Sequence, residues 1–387
     1  MPQRKQPQFR LSEVKQFISD VFNDDIHSKR ILSLSNATAG VLESGSLAIS
    51  AIGLGLANIN GTATKHAVKQ VDRLIGNVGI DVWDYFGYWV PYVISQRREI
   101  VVAMDWTDFD SDGHATIALN LLTGHGRAIP LLWRTVKKSE LKDQRNVYED
   151  SLLIRLKEVV PEGVLVTVIA DRGFMDTNLM EIMRDTWGFG YVIRLRGNVI
   201  VTSKQGEKRT AAQWVGKGGR AKTLRDAKLT AKRFLAPTIV CTQAKGMKES
   251  WCLVASDGVV SASQLVKYYA KRWSIETYFR DTKDIRFGLG MSNIHTKSTQ
   301  RRDRLFLLSA FAIVLLTLLG AACEKVGYDR TLKANTVKHR THSLFRQGQM
   351  VYSGIPNMRE EWLSKIMNAF VELTLEHKSL SKVFYVV

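Results

Sequence analysis

Apolar residues return every third or fourth position along LSEVKQFISDVFND and TATKHAVKQVDRLIGN, the spacing of a helix with one buried stripe. The small-residue stretch from Ala37 to Asn58, between them, carries helical spacing as well. Residues 1–95 therefore read as a helical region. In its last helix Val68, Val71, Leu74 and Ile75 form the stripe, while Lys65, Lys69 and Arg73 lie on other faces. A small DNA-binding module needs such a surface; a packed helical cap with solvated lysines gives the same pattern.

At Arg98 the period shortens. EIVVAMDWTDFD, HATIALNLLT and RAIPLLWRTV read as three strands with short glycine-containing connections, an antiparallel meander. YEDSLLIRLKEVVP is an amphipathic helix closed by Pro161. VLVTVIADRGF is an unbroken apolar strand of the kind buried on both faces. A helix at about Thr177–Trp187 and the strand GYVIRLRG complete a βββαβαβ series over residues 96–195. Residues 196–258 break this rhythm. From Arg196 to Arg233, lysines and arginines far outnumber the two acids, Glu207 and Asp226, and AKRFLAPTIVCTQ and ESWCLVASD alternate as strands do. This reads as a basic, β-rich insertion lying against a polyanion, or as a flexible basic loop with no fixed role. The helix YYAKRWSIETYFRDTK and an apolar helix follow within residues 259–325. A basic tail over 326–387 is expected to be helical at Met358–His377. The fold class is α/β, a mixed sheet flanked by helices with helical regions at both ends.

The apolar run Leu305–Ala322 carries no charge and is about as long as the lower limit of a membrane span. It stands alone in the chain and contains Ser309, Thr317 and Gly320, so a core helix of a large α/β domain is the expectation. Charge points first to a polyanion, with a basic membrane-surface protein as the competing reading. The 387 residues carry a formal charge of +18, a surplus that suits a polyanionic partner, of which nucleic acid is the commonest. Cys241, Cys252 and Cys323 lie far apart without metal-binding spacing, which suits a reducing cytoplasm, and MPQRKQPQFR lacks the apolar core of a secretion signal.

The chemistry centres on carboxylates. Asp105 and Asp171 each end an apolar stretch, IVVAM and VTVIA. If the two strands are parallel neighbours, both acids reach one cleft and can bridge a hard divalent cation. Asp108, Asp110 and Asp112 are weaker candidates, because aspartate is a common turn former. In YYAKRWSIETYFRDTK, Tyr269, Arg272, Glu276 and Lys283 fall within roughly 60° of one another on a helix, with Arg280 on the same side. Their charges hug the edge of the stripe made by Tyr268, Ile275 and Phe279, as in the wall of a cleft.

The spacing Tyr269-x2-Arg272-x3-Glu276-x6-Lys283 resembles the Y-R-E-K signature of bacterial insertion-sequence transposases of the "four" family. With the two aspartates it resembles an RNase H-like DDE core, over roughly Glu99 to Leu319. The resemblance implies a cut-and-paste enzyme in which Asp105, Asp171 and Glu276 bind two Mg²⁺ or Mn²⁺ ions. Tyr269, Arg272 and Lys283 would hold phosphates of the transposon end, and Trp251 would stack a flipped base in a hairpin-forming relative, with Trp214 a second candidate. Arg172 and Arg280 would touch DNA, although Arg172 next to Asp171 also serves as a charge balance. The implied partners are duplex DNA (inverted-repeat ends and target) and a second copy of the chain in a homodimer, with no membrane and no small-molecule cofactor. The implied location is the bacterial cytoplasm, at the nucleoid. An RNase H-like nuclease that cuts without joining, and a non-catalytic DNA-binding descendant, remain alternatives.

Overall fold

The computed structural model describes residues 11–23, 25–259 and 261–375. The MPQRKQPQFR stretch and the tail beyond Leu375, including the end of the helix expected to reach His377, lie outside the described residues. Five helices open the chain: α1 (Leu11–Phe22), α2 (Ser28–Ser44), α3 (Ile49–Asn60), α4 (Thr64–Gly76) and α5 (Val82–Ile94). The expected βββαβαβ series follows as β1 (Glu99–Phe109), β2 (His114–Leu122), β3 (Ala128–Lys137), α6 (Arg145–Val159), β4 (Leu165–Ala170), α7 (Thr177–Glu181) and β5 (Gly190–Leu195). The helix expected to reach Trp187 stops at Glu181 and widens into a π-helical turn over Ile182–Thr186.

The basic stretch folds as β6 (Ile200–Thr202), β7 (Lys208–Thr210), β8 (Lys222–Leu229), β9 (Phe234–Thr242) and β10 (Trp251–Ala255). These strands do not form a separate layer. They extend the core sheet into one of ten strands, ordered β3-β2-β1-β4-β5-β10-β9-β8-β6-β7. The join is β10, which pairs antiparallel with β5 on one side and with β9 on the other. Backbone groups that would otherwise form an exposed edge at β5 are thereby paired.

The rest of the chain is helical: α8 (Ala262–Ala270), α9 (Trp273–Lys283), α10 (Thr299–Lys325), α11 (Leu344–Gly354) and α12 (Glu360–Leu375). The single helix read through YYAKRWSIETYFRDTK is two. Around Lys271 and Arg272 the hydrogen bonds tighten to three-residue spacing, as in Arg272 N–H to Tyr269 O and Ile275 N–H to Arg272 O. The break lets α8 pack on β5 and β10 while α9 packs on β1, β2 and β3.

The apolar run lies in α10, and 94% of its most apolar window is buried inside the protein. Length and composition alone would suit a membrane span; here the run is a core helix. Its surroundings explain its composition. It contacts β3, α2, α4, α5, α11 and α12, so no face is left for polar residues. Phe311 gathers Phe17 of α1, Phe22 of α1 and Trp89 of α5 at ring separations of 6.1, 6.2 and 5.4 Å, tying the N-terminal helices to the core. Gly320 and Gly348 let α10 and α11 touch, since a Cβ at either would overlap a carbonyl oxygen of the other helix.

Four consecutive residues at the head of α10 reach four targets. Arg301 pairs with Asp72 of α4 at 2.5 Å. Arg302, fully buried, pairs with Asp112 in the β1–β2 turn. Asp303 accepts from the Thr135 amide of β3 at 3.0 Å. Arg304 donates to the carbonyls of Ile75 and Ile80 at 3.0 and 2.8 Å. Desolvation pushes Asp303 up to about 7 from an ordinary value of 3.8. The fold then keeps a proton that the unfolded chain has released, so this group's contribution to stability falls as pH rises from about 4 to about 7. Asn at 303 can still accept from Thr135. The melting temperature of Asp303→Asn relative to wild type is therefore expected to climb between pH 5 and pH 8; parallel pH profiles would contradict this.

Candidate active site

β1 and β4 are parallel neighbours with Met104 opposite Ala170, so Asp105 and Asp171 are the next residues along adjacent strands. Asp105 is not at the end of its strand, as the sequence suggests. β1 runs on to Phe109 against β2, and it is the pairing with β4 that stops at Met104. Asp171 lies just past the end of β4 and caps the following turn by accepting from Gly173 N–H at 2.7 Å. The apolar stretches before both acids form interior strands because helices pack over the sheet.

Asp105 Oδ1 accepts from the Trp106 amide and Oδ2 from Arg272 Nη1, both at 2.9 Å. The other arm of the same guanidinium, Nη2, donates to Glu276 Oε1 at 3.2 Å. Arg272 thus bridges one carboxylate from the sheet and one from α9. Desolvation pushes Asp105 up to about 6; Arg272 opposes this, and the charges of Asp171 and Glu276 add to it. The Arg272 guanidinium is itself desolvated, but the fields of Tyr269, Asp105, Asp171 and Glu276 hold its proton more firmly than usual. Asp105, Asp171 and Glu276 therefore share one electrostatic environment with Arg272 among them. Among the described residues no three acidic, histidine or cysteine side chains come close enough together to hold a metal ion. The donor type still fits one: three carboxylate oxygen donors whose mutual repulsion a divalent cation offsets, with neither thiolate nor imidazole among them.

The remaining predicted residues fall into four groups. Tyr269, at the end of α8, is buried, and Trp251 at the head of β10 is half-buried and meets it edge-on at 5.0 Å. Arg272 lies 5.9 Å from the Tyr269 ring and 5.6 Å from the Trp273 ring, so Trp251, Tyr269, Arg272 and Trp273 form one row. Lys283 donates to Thr107 Oγ1 at 3.0 Å and Asp108 O at 2.7 Å and lies over Phe109, which braces α9 against β1. Arg280 is exposed beside it. Arg172 is turned away from the three acids and pairs with Glu249, which also binds Arg194. Trp214 is 1% exposed, with its indole N–H on Val201 O, so no base can stack on it.

Sequence reading missed two tryptophans. Trp273 is 53% exposed at the first turn of α9, three residues before Glu276. Trp106, directly after Asp105, donates its indole N–H to the buried Glu149 of α6 at 2.8 Å and carries Arg145 over its ring. Adjacency to Arg272 and to Asp105 was the available signal, but a lone tryptophan is more often a packing residue.

A family model described as a transposase DDE domain matches residues 97–315, more than half of the chain. The chain belongs to that family. No curated protein matches it in sequence. The matched span of this DDE transposase domain begins just before β1 and ends inside α10, so it takes in all three carboxylates and the strands of the basic insertion. The family makes this a transposase- or nuclease-type enzyme acting on DNA.

The acidic run after Asp105 faces structural cations instead of the site. Asp108 and Asp110 share Lys138 at 3.2 and 2.6 Å on the surface. Asp112 is enclosed, accepting from Thr296 N–H at 3.0 Å and pairing with Arg302. Asp112→Ala leaves a buried arginine uncompensated and is expected to cost about 3–5 kcal/mol. Asp108→Asn is expected to cost less than about 1 kcal/mol, and Asp110→Asn, at a fully exposed position, to leave the midpoint near that of wild type. Urea denaturation of the three variants measures the difference.

Proposed function

We propose that this chain is an insertion-sequence transposase that binds the inverted-repeat ends of its element, cleaves them through a hairpin intermediate and joins the 3′ ends to target DNA. The observation that carries the reading is Arg272 bridging Asp105 and Glu276 beside Asp171, within a DDE transposase domain. Asp105, Asp171 and Glu276 would hold two Mg²⁺ or Mn²⁺ ions. Such ions supply a nucleophile at neutral pH and Lewis-acid stabilisation of the leaving oxygen of a phosphodiester. The role of the carboxylates would be to hold such ions, since as anions they would by themselves repel a phosphate. Arg272, once its place between the acids is taken, has a free planar fork for the phosphate oxygens next to the scissile bond. Arg280 offers a second cation on the open face of α9, and Lys283 holds that helix to β1 beside the DNA. Tyr269 supports Arg272 from behind, and Arg172 and Arg194, both on Glu249, line the path toward β10.

A hairpin requires a base out of the stack, and aromatic stacking of one base is worth about 1–3 kcal/mol. Trp251 and Trp273, at the two ends of the aromatic row, offer the indole faces. In this reading residues 1–95 form a DNA-binding region, 96–195 and 259–325 the two parts of the catalytic core, 196–258 a basic insertion along the DNA and 326–387 a helical C-terminal region. A synaptic complex of two ends calls for a homodimer working at the bacterial nucleoid.

The test is incubation with Mg²⁺ or Mn²⁺ and duplex DNA carrying the inverted repeats that flank the reading frame. Nicks, hairpins and joined products are expected, and Asp105→Asn, Asp171→Asn and Glu276→Gln are each expected to lower cleavage by at least about 10³-fold. Cleavage that persists in all three variants would falsify the site; cleavage without any joined product would make the chain a nuclease. Trp251→Ala and Trp273→Ala are each expected to weaken binding of a duplex with an unpaired base at the cleavage position by roughly 5- to 100-fold. Wild-type hairpin yield in both variants would remove the base-stacking role.

A further inference from the structure

α3 ends at Gly61, whose φ of +63° is the left-handed cap that glycine adopts without strain. Three residues, Gly61, Thr62 and Ala63, separate it from α4. Two helices joined by a short glycine-containing turn make a helix–turn–helix unit. The pair is rigid at its crossing. Gly53 of α3 lies directly on Val68 of α4, where an added Cβ would come within 2.7 Å of the Val68 backbone. α2 locks the other side of α3 through Gly40, which meets Ile52 in the same way.

α4 is divided by burial. Ala67, Val71, Leu74 and Ile75 are buried, while Thr64, Lys65, His66, Lys69, Gln70 and Arg73 are exposed. At about 100° per residue, Lys65, Lys69, Arg73, His66 and Gln70 fall on one arc roughly 140° wide. Lys65, Lys69 and Arg73 form a row at four-residue spacing, and none of them is in an ion pair among the described residues. The one acid of the helix, Asp72, lies off this arc and is engaged by Arg301. Arg304 binds the Ile75 carbonyl at the other end of α4, where a cation also complements the helix dipole. The C-terminal end of α4 is thus clamped to the head of α10, while Thr64, Lys65 and His66 at its N-terminal end are exposed among the described residues.

We propose that α4 is the sequence-reading helix of this protein and enters the major groove of duplex DNA by its N-terminal half. His66 and Gln70 reach base edges, and Lys65, Lys69 and Arg73 hold the flanking phosphates. A major groove about 12 Å wide admits one helix, and glutamine pairs with the edge of adenine by two hydrogen bonds. α3 crosses behind and supports it. The clamp by Arg301 and Arg304 sets the read sequence at a fixed distance from the catalytic carboxylates. The inference rests on the transposase reading for its substrate, but it concerns binding and not cleavage.

The test is selection of a randomised duplex library by the full chain in buffer without divalent cations, followed by binding measurements on the enriched duplex and on a scrambled one. Gln70→Ala and His66→Ala are expected to reduce the preference for the enriched duplex about 5- to 150-fold and to relax the selected motif at particular positions. Lys69→Ala is expected to weaken both duplexes alike and to flatten the salt dependence by about one unit of slope. Lys338→Ala, which removes an exposed charge from the segment between α10 and α11, is the control for net charge and is expected to leave the preference within about twofold of wild type. Unchanged preference in both Gln70→Ala and His66→Ala overturns the assignment, as does failure of the wild-type chain to enrich any motif. Metal-dependent cleavage, assayed separately, stands or falls independently of these outcomes.

Discussion

Burial of one uncharged helical run is the constraint on which the rest of this molecule depends. From Leu305 to Ala322 α10 carries no charge on any side, so it is stable only where other elements cover it all round. The cover comes from β3, from α2, α4 and α5, and from α11 and α12, which are the three regions of the chain. That arrangement makes the head of α10 a junction. Arg301, Arg302, Asp303 and Arg304 leave the apolar segment together and tie down α4, the β1–β2 turn and β3. A helix that would look like a membrane anchor in isolation is the axle between the N-terminal helices and the carboxylate-bearing strands.

The second organising effect is electrostatic. Bringing Asp105, Asp171 and Glu276 into one partly desolvated place is unfavourable, as the raised affinity of Asp105 for its proton shows. Arg272 offsets that repulsion by bridging two of the three. A guanidinium fork matches carboxylate and phosphate geometry alike, which is why the proposed reading gives Arg272 both roles. The tightened turn at Lys271 and Arg272 contributes, since it lets α8 stay on β5 and β10 while α9 brings Glu276 over β1.

Much of this was legible from residue order. The alternation of short apolar runs with amphipathic segments led to the βββαβαβ series, because strand and helix periods are local properties. Asp105, Asp171 and Glu276 were nameable as candidates because acids following apolar runs, and an acid among cations, are unusual enough to stand out. Trp273 and Trp106 were not, because the exposure of one and the Glu149 partner of the other depend on chain far away in sequence. Trp214 misled for the same reason: its basic neighbours Arg209 and Lys222 lie over a ring that the sheet has already buried.

By itself the sequence determined the βββαβαβ series and the surplus of positive charge, and it put forward three candidate carboxylates, since each follows from composition or from periodicity over a few residues. The tertiary structure alone decided which partner each charge has. Asp112 and Asp108 lie four residues apart, yet one is enclosed with Arg302 and the other shares a surface lysine. Arg301, Arg302 and Arg304 look alike as flanks of an apolar run, yet each has a different target. Charge is written in the sequence; its compensation depends on distance in space, which only the packed chain sets.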